Sequence, residues 1–205
     1  MPMFSVIVPA HNSEDFIRIG LESIVDQKNK DYELIVVCDN CTDQTPQIAY
    51  EYADIMRVVN LGNDGLARNV GLEEASGEYV LFLDDDDWFM HEYVFDVIHE
   101  NLNRWTWRMD LTVDILQFGF IFKGVGYAEA RKANGSIWPN VWSKAWRREF
   151  IGDTRFQNIK MESDLDFTRR MLEKDPKLIC LDQPLIYYNY MRKGSQTWNK
   201  AHNIE

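Results

Sequence analysis

Apolar residues fall into short unbroken runs separated by stretches with helical spacing, and that alternation sets the fold class. Phe4-Ser5-Val6-Ile7-Val8, closed by Pro9, reads as a first strand. Leu34-Ile35-Val36-Val37 is apolar on both faces, as a strand inside a parallel sheet must be. Met56-Arg57-Val58-Val59 gives a short third strand, and residues 79–83 a fourth that no polar residue interrupts. Helices lie between them. One starts near Ser13-Glu14-Asp15, a capping residue with acids at the positive end of the dipole, and puts Ile17, Leu21, Ile24 and Val25 on one face. A second opens with Thr45 as N-cap and Pro46 in its first turn, and runs to about Tyr52. A third spans 66–75 and is stopped by Gly77 in a left-handed terminal conformation. This order predicts an α/β, Rossmann-like α/β/α sandwich with a mostly parallel central sheet.

The second half has a weaker pattern. Residues 91–102 read as a helix, 111–122 as holding a strand, and 163–173 as another helix. Trp138, Trp142, Ala145, Trp146 and Phe150 predict a helix with an aromatic face. Residues 178–181 and 185–190 read as two closing strands, and 104–109 and 127–134 as irregular chain.

At 205 residues the chain predicts one domain, 1–205, with an amino-terminal half (1–90) and a second half (91–205). A net charge of −11 argues against a nucleic-acid partner, which needs a basic face. An acidic protein still binds an anionic nucleotide where a metal supplies local positive charge. There is no transmembrane-length apolar run and no signal-peptide pattern, and the three cysteines are too few for a disulfide scaffold. A cytoplasmic location is therefore expected. Any peripheral contact with the inner face of a membrane would use a local basic patch such as Arg147-Arg148. Cys38-Asp39-Asn40-Cys41 has C-x-x-C spacing, but a redox or zinc role needs a thioredoxin-like helix start or a second ligand pair, and the sequence offers neither.

Chemistry is concentrated in Leu81-Phe82-Leu83-Asp84-Asp85-Asp86-Asp87-Trp88, where a buried strand runs into four carboxylates. Like charges packed so closely need solvent, a cation, or both. Mg²⁺ and Mn²⁺ prefer oxygen ligands and are held by one or two carboxylates plus substrate phosphates. Ligands of open α/β sheets sit beyond the carboxyl ends of strands, where these acids fall. The competing reading, a solvated acidic loop, is weakened by that position.

Four blocks in order carry a resemblance. Ser5-Val6-Ile7-Val8-Pro9-Ala10-His11-Asn12 resembles the opening strand and turn of the family 2 glycosyltransferases. Val37-Cys38-Asp39-Asn40-Cys41-Thr42-Asp43 stands where the family has V-D-D-G-S-T-D. Residues 63–71 and Ser76-Gly77-Glu78-Tyr79 resemble its next block, and 83–88 its D-x-D-D metal segment. Weaker matches follow at Val141-Trp142-Ser143-Lys144 (W-x-K), Glu162-Ser163-Asp164-Leu165-Asp166-Phe167 (E-D-x-x-F), and Tyr190-Met191-Arg192 with Ser195 and Thr197 (R-x-x-S-x-T). The interval between Trp88 and Trp142 is shorter than the family's, which bears on the acceptor loops.

The resemblance implies a GT-A fold and inverting transfer of a sugar from a UDP-sugar to an acceptor hydroxyl. It assigns residues 1–90 to the nucleotide sugar and 91–205 to the acceptor, a bacterial surface glycan or lipid-linked oligosaccharide. It implies Mn²⁺ or Mg²⁺ on Asp86, with Asp84 at the ribose or a metal-bound water, and Asp85 and Asp87 less defined. It implies a uracil contact from Asp39, flanked by Pro9, Ala10 and Asn12, and a phosphate or base contact from Arg68. Arg68's competing role is a surface salt bridge to Glu73 or Asp64. Asp164 is the expected general base, at a helix start where the dipole favours negative charge, with Glu162 as its rival. Trp142 is either core or a platform for a sugar ring. His11 and His91 could contact base or metal, although a lone histidine more often does neither. Two other functions are compatible with such a sheet. A sugar-nucleotide nucleotidyltransferase would need a Gly-rich basic loop where Pro9-Ala10-His11-Asn12 stands; a non-catalytic nucleotide or divalent-ion module would bind without turnover.

Overall fold

The computed structural model of the chain describes residues 1–159, 162–190 and 201. The elements are β1 (Phe4–Ala10), α1 (Ile17–Val25), β2 (Tyr32–Asp39), α2 (Thr45–Tyr50), β3 (Ile55–Val59), α3 (Asp64–Glu74) and β4 (Tyr79–Phe82). There follow β5 (Trp88–Phe89), α4 (Val94–Met109), β6 (Ile115–Phe122), β7 (Gly126–Ala128), β8 (Lys144–Arg147), α5 (Arg148–Ile151), α6 (Ser163–Leu172) and β9 (Leu178–Tyr188). Their strands join one mixed sheet ordered β3-β2-β1-β4-β8-β6-β9-β5, with β7 beside β6.

The first four strands are parallel; β1, β2 and β4 carry the largely apolar runs of strands covered on both faces, whereas the edge strand β3 is partly exposed and includes Arg57. β1 pairs β2 from Phe4↔Tyr32 to Ala10↔Cys38 and is buried along its whole length. This shared register brings Ala10 and Asp39 to the same edge of the sheet. Helix α3 lies close against β1: a Cβ at Gly71 would sit 2.4 Å from Ile7 Cγ2. Asn63 caps α3, its side chain accepting the Leu66 N–H at 3.0 Å.

Several expected details are corrected. Ser13 does not cap α1 with its side chain; its carbonyl accepts the N–H groups of Phe16 and Ile17 in a turn, and the helix starts at Ile17. The hydroxyl of Thr45, inside α2 rather than capping it, accepts the Ser13 N–H at 2.8 Å, and Asp43 accepts the Thr45 N–H instead. Gly77 is needed for space: a Cβ there would meet the Ser5 nitrogen at 2.6 Å. Residues 104–109 are the last turns of α4, not irregular chain.

The expected aromatic helix around Trp142 is instead strand β8, followed by the single turn of α5. Residues 141–146 are all buried, between β4 and β6, so neither a helical nor a strand period shows in their sequence. The two closing strands are one, β9, whose register against β6 shifts around Gly119, opposite Pro184. Proline has no N–H for the ladder, which accounts for the irregularity. Nor do Arg147 and Arg148 form a free basic patch. Arg147 pairs with Asp114 at 2.7 Å and with Glu149, and Arg148 Nε donates to the Gly77 carbonyl. Among the described residues no helix is long and apolar enough to cross a membrane.

Candidate active site

The carboxyl ends of β1, β2 and β4 open into a cleft of about 790 Å³. Pro9, Ala10 and Asp39, then Arg68 with Asp84, Asp85 and Asp86, and then Glu162, Ser163 and Asp164 all line it. A hollow of this size at strand ends accommodates a nucleotide-sized ligand.

Asp39 is buried, and its carboxylate accepts N–H groups from Leu61 (2.6 Å), Gly62 (3.1 Å) and Asn63 (2.9 Å). It fixes the loop into α3 and still presents an edge to the cleft. Asn12 stands off the lining. At a positive φ of 47°, its side-chain oxygen holds the Thr42 N–H at 2.8 Å, so it shapes the turn beside Asp39. His11 lines the cleft; its N–H donates to Asp85 at 3.0 Å and its ring contacts the Asp39 carbonyl at 2.7 Å.

Arg68 is not at the surface. It is 3% exposed and reaches Asp64 at 2.6 Å, Asp84 at 2.6 Å and Asp164 at 3.5 Å. Its guanidinium also lies 5.7 Å from the Phe156 ring centre. Burial opposes the charge, but Asp164, Asp84 and Asp64 outweigh it and hold the Arg68 pKa above its ordinary value. One arginine thus ties the acidic turn after β4 to the start of α6. The surface pairing considered for it with Asp64 exists, but as one arm of a buried hub.

The four acids separate by environment. Burial pushes the Asp84 carboxyl up to about 7; Asp164 and Asp86 add to the rise, and Arg68 opposes it. Asp87 points inward, fully buried, and accepts the Asn189 N–H at 2.8 Å; burial raises its pKa well above the carboxylate range. Asp87 therefore anchors the turn to the end of β9, and Asp85 and Asp86 remain on the cleft with Asp84. Among the described residues no group of three or more His, Cys, Asp or Glu side chains could hold a metal by itself. A hard cation here would need one or two of these carboxylates together with oxygens from a bound diphosphate.

Asp164 is the second residue of α6 and accepts the Val141 N–H at 3.2 Å. Glu162 precedes the helix with φ of 65° and also lines the cleft. Val141 belongs to the segment held by Lys144, whose buried ammonium nitrogen donates to the carbonyls of Trp138 (2.7 Å) and Asn140. Burial lowers the Lys144 pKa to about 7, against the pull of Asp164.

The second half supplies aromatic walls that sequence reasoning did not assign: Phe120, Phe122, Trp138, Tyr188 and Tyr190. Their only sequence signal was aromatic density. Trp142, expected as core or platform, is 5% exposed between Phe120 and Tyr188, each with its ring centre 4.7 Å away. The half-buried Trp138 is better placed to meet a ligand. The R-x-x-S-x-T match beyond Tyr190 lies outside the described residues.

The mixed sheet, with acids at the ends of its parallel strands and a second wall from β6 and β9, is an α/β fold of the expected GT-A class. Residues 5–103 match the model of glycosyl transferase family 2. That region of the chain belongs to the family. Glycosyltransferase GlyA of Streptococcus pneumoniae is 30% identical over 93% of this chain and 31% of its own length. The uncharacterized glycosyltransferase EpsJ of Bacillus subtilis is 40% identical over 92% of this chain and 61% of its own length. The crystal structure of Staphylococcus aureus TarS 1–349 with UDP-GlcNAc superposes with a TM-score of 0.80 at 27% identity, covering 97% of this chain and 61% of that one. The chain spans less than two thirds of each of these proteins.

Proposed function

We propose that this chain catalyses inverting, cation-dependent transfer of a sugar from a UDP-sugar to an acceptor hydroxyl in bacterial surface-polysaccharide synthesis. One observation carries the reading: a single cleft gathers Asp39, Arg68, the Asp84–Asp86 turn and Asp164 from four separate segments. TarS, a poly(ribitol-phosphate) β-N-acetylglucosaminyltransferase, supports it, since a structure of similar fold holds UDP-GlcNAc.

In this reading Asp39 and the Pro9–Ala10 edge receive the uracil, and residues 1–90 serve the donor while 91–205 serve the acceptor. Asp86, with Asp84 beside it, holds Mn²⁺ or Mg²⁺. The bound cation supplies positive charge against the departing diphosphate. Asp164 takes the acceptor's hydroxyl proton, and the freed oxygen attacks the anomeric carbon as the bond to the diphosphate breaks on the opposite face. The Val141 N–H and Arg68 orient Asp164, which supports its reading as the base, with Glu162 as the rival. Free thiols at Cys38, Cys41 and Cys180 accord with a reducing cytoplasm.

Calorimetry with UDP, with and without Mn²⁺, tests the donor site, and release of UDP from a UDP-sugar with an acceptor present tests turnover. The expected result is cation-dependent binding and UDP release. Absence of UDP binding in both conditions would defeat the proposal, and binding without turnover would leave a nucleotide-binding module.

A further inference from the structure

Residues 138–141 run from the Arg131↔Ile137 bridge to the turn before β8 and belong to no helix or strand. Their carbonyls have no ladder to join and must find other partners. Each of the four finds a side chain. The Lys144 ammonium donates to the carbonyls of Trp138 (2.7 Å) and Asn140, and at 3.3 Å to the Asn140 side-chain oxygen. Its three protons thus meet three oxygens. The Thr168 hydroxyl donates to the Pro139 carbonyl at 2.7 Å, and the Trp146 indole N–H to the Val141 carbonyl at 3.0 Å.

The three donors come from β8 and α6, are at most 2% exposed, and do not line the cleft. The segment they hold does, through Trp138, Pro139 and Asn140, and its Val141 N–H is bonded to Asp164. Thr168 lies one helical turn after Asp164, so the same face of α6 grips the segment twice, once at Pro139 and once at Val141.

We propose that Lys144, Thr168 and Trp146 are positioning residues for sugar transfer, which lock residues 138–141 from outside the cleft so that the Val141 N–H aims the Asp164 carboxylate at the acceptor's hydroxyl proton. The part played in transfer rests on the function proposed above; the locking of the segment does not. Asp164 is held at both oxygens by different elements. Its Oδ2 accepts the Val141 N–H, and its Oδ1 faces Arg68 of α3 at 3.5 Å. With the segment loosened, only the longer contact to Arg68 remains, and the carboxylate turns about it. A misplacement of about 1 Å costs a reacting group on the order of 100-fold in rate.

Thr168 separates this role from ordinary packing. Thr168→Val keeps the shape and loses the hydroxyl; Thr168→Ser keeps the hydroxyl and loses a methyl. A packing role makes the serine variant the worse of the two, and a locking role the valine variant.

The test takes the full chain with Mn²⁺ and either UDP-glucose or UDP-N-acetylglucosamine, with water as the acceptor. It reads UDP release beside residue-resolved hydrogen exchange at the Val141 amide. Thr168→Val should lower kcat roughly tenfold with the donor KM unchanged, and speed Val141 exchange about tenfold. Thr168→Ser should stay close to the native chain in both. Lys144→Met should act in the same direction and more strongly; if it does not fold, the Thr168 pair decides. Unchanged Val141 exchange in Thr168→Val, or a lower kcat in the serine than in the valine variant, would overturn the lock. Faster exchange at native kcat would overturn its link to Asp164. A native chain that released no UDP from either sugar nucleotide would defeat the function proposed above, and Val141 exchange alone would then decide the lock.

Discussion

The two parts of the sheet build their sides of the cleft from different materials. On the parallel side, β1 to β4 end in carboxylates and backbone N–H groups, with Arg68 joining Asp64, Asp84 and Asp164. On the other side, β6, β9 and the segment before β8 contribute Phe120, Phe122, Trp138 and Tyr188. One side suits a charged ligand whose position must be fixed, the other a less charged ligand that needs surface. A nucleotide diphosphate and a glycan differ in this way, and the contrast can be broken at several points.

The largest effect is expected at the junction between the sides. Asp164→Asn keeps an oxygen for the Val141 N–H but cannot take a proton, so UDP affinity should hold while turnover falls by roughly 10²–10⁴-fold. Undiminished turnover would move the base to Glu162 or elsewhere. Asp86→Ala should reduce cation-dependent UDP affinity by on the order of 100-fold with an unchanged melting temperature, reflecting lost cation-to-phosphate neutralisation. Equal affinity with and without Mn²⁺ in the native chain would remove Asp86 from that role.

Next comes packing beneath the charged side. Gly71→Ala would place a methyl 2.4 Å from Ile7 Cγ2, inside a wholly buried strand, and should cost about 1–3 kcal/mol in denaturant unfolding. Gly124 in the β6–β7 turn has nothing within 4 Å of an added Cβ, but its φ of 73° disfavours a side chain. Gly124→Ala should cost about 1 kcal/mol through backbone strain alone. A larger loss at Gly124 than at Gly71 would show that the parallel side is not the tightly packed one.

That asymmetry also explains what could be read in advance. β1, β2 and β4 are wholly or largely buried, so their sequences are continuous apolar runs that allow few other structures. The acids at their ends were legible for the same reason: polar residues directly after a buried strand mark its functional edge. β8 was not legible, because burial throughout 141–146 leaves no period to separate strand from helix. The Arg68 hub was hidden for another reason. Its partners come from residues 64, 84 and 164, and only the sheet and α6 bring the last to the others.

The buried charges on the two sides also predict opposite pH dependences. The Asp84 pKa is raised from 3.8 to about 7, so between these values the folded chain holds more protons than the unfolded one. Its contribution to stability is complete below 3.8 and is lost as pH rises through about 7. The Lys144 pKa is lowered from 10.5 to about 7, so in that upper window the unfolded chain holds more protons. Its contribution is complete above 10.5 and is lost as pH falls through about 7. Melting temperature without added cation should therefore dip near neutrality. Asp84→Asn should flatten the acid limb and Lys144→Met the alkaline limb. If each variant flattened the limb assigned to the other, this division of charge would be wrong.

The smallest expected effect probes the aromatic side. Trp138 is half-buried, its indole N–H donates to the Glu129 carbonyl at 2.8 Å, and its ring stands edge-on to Phe120 at 5.2 Å. Those contacts hold the ring against the wall while it still lines the cleft. An aromatic contact of this kind contributes about 0.5–1.5 kcal/mol beyond its buried area, so Trp138→Ala should raise the acceptor KM roughly several-fold. The donor KM should not move, because Asp39, Arg68 and the acidic turn are untouched. Trp138→Phe keeps a ring but loses the bond to Glu129, and should fall between. A donor KM that rose with Trp138→Ala while the acceptor KM stayed constant would assign the aromatic wall to the nucleotide sugar, and the two sides of the cleft would no longer divide by ligand.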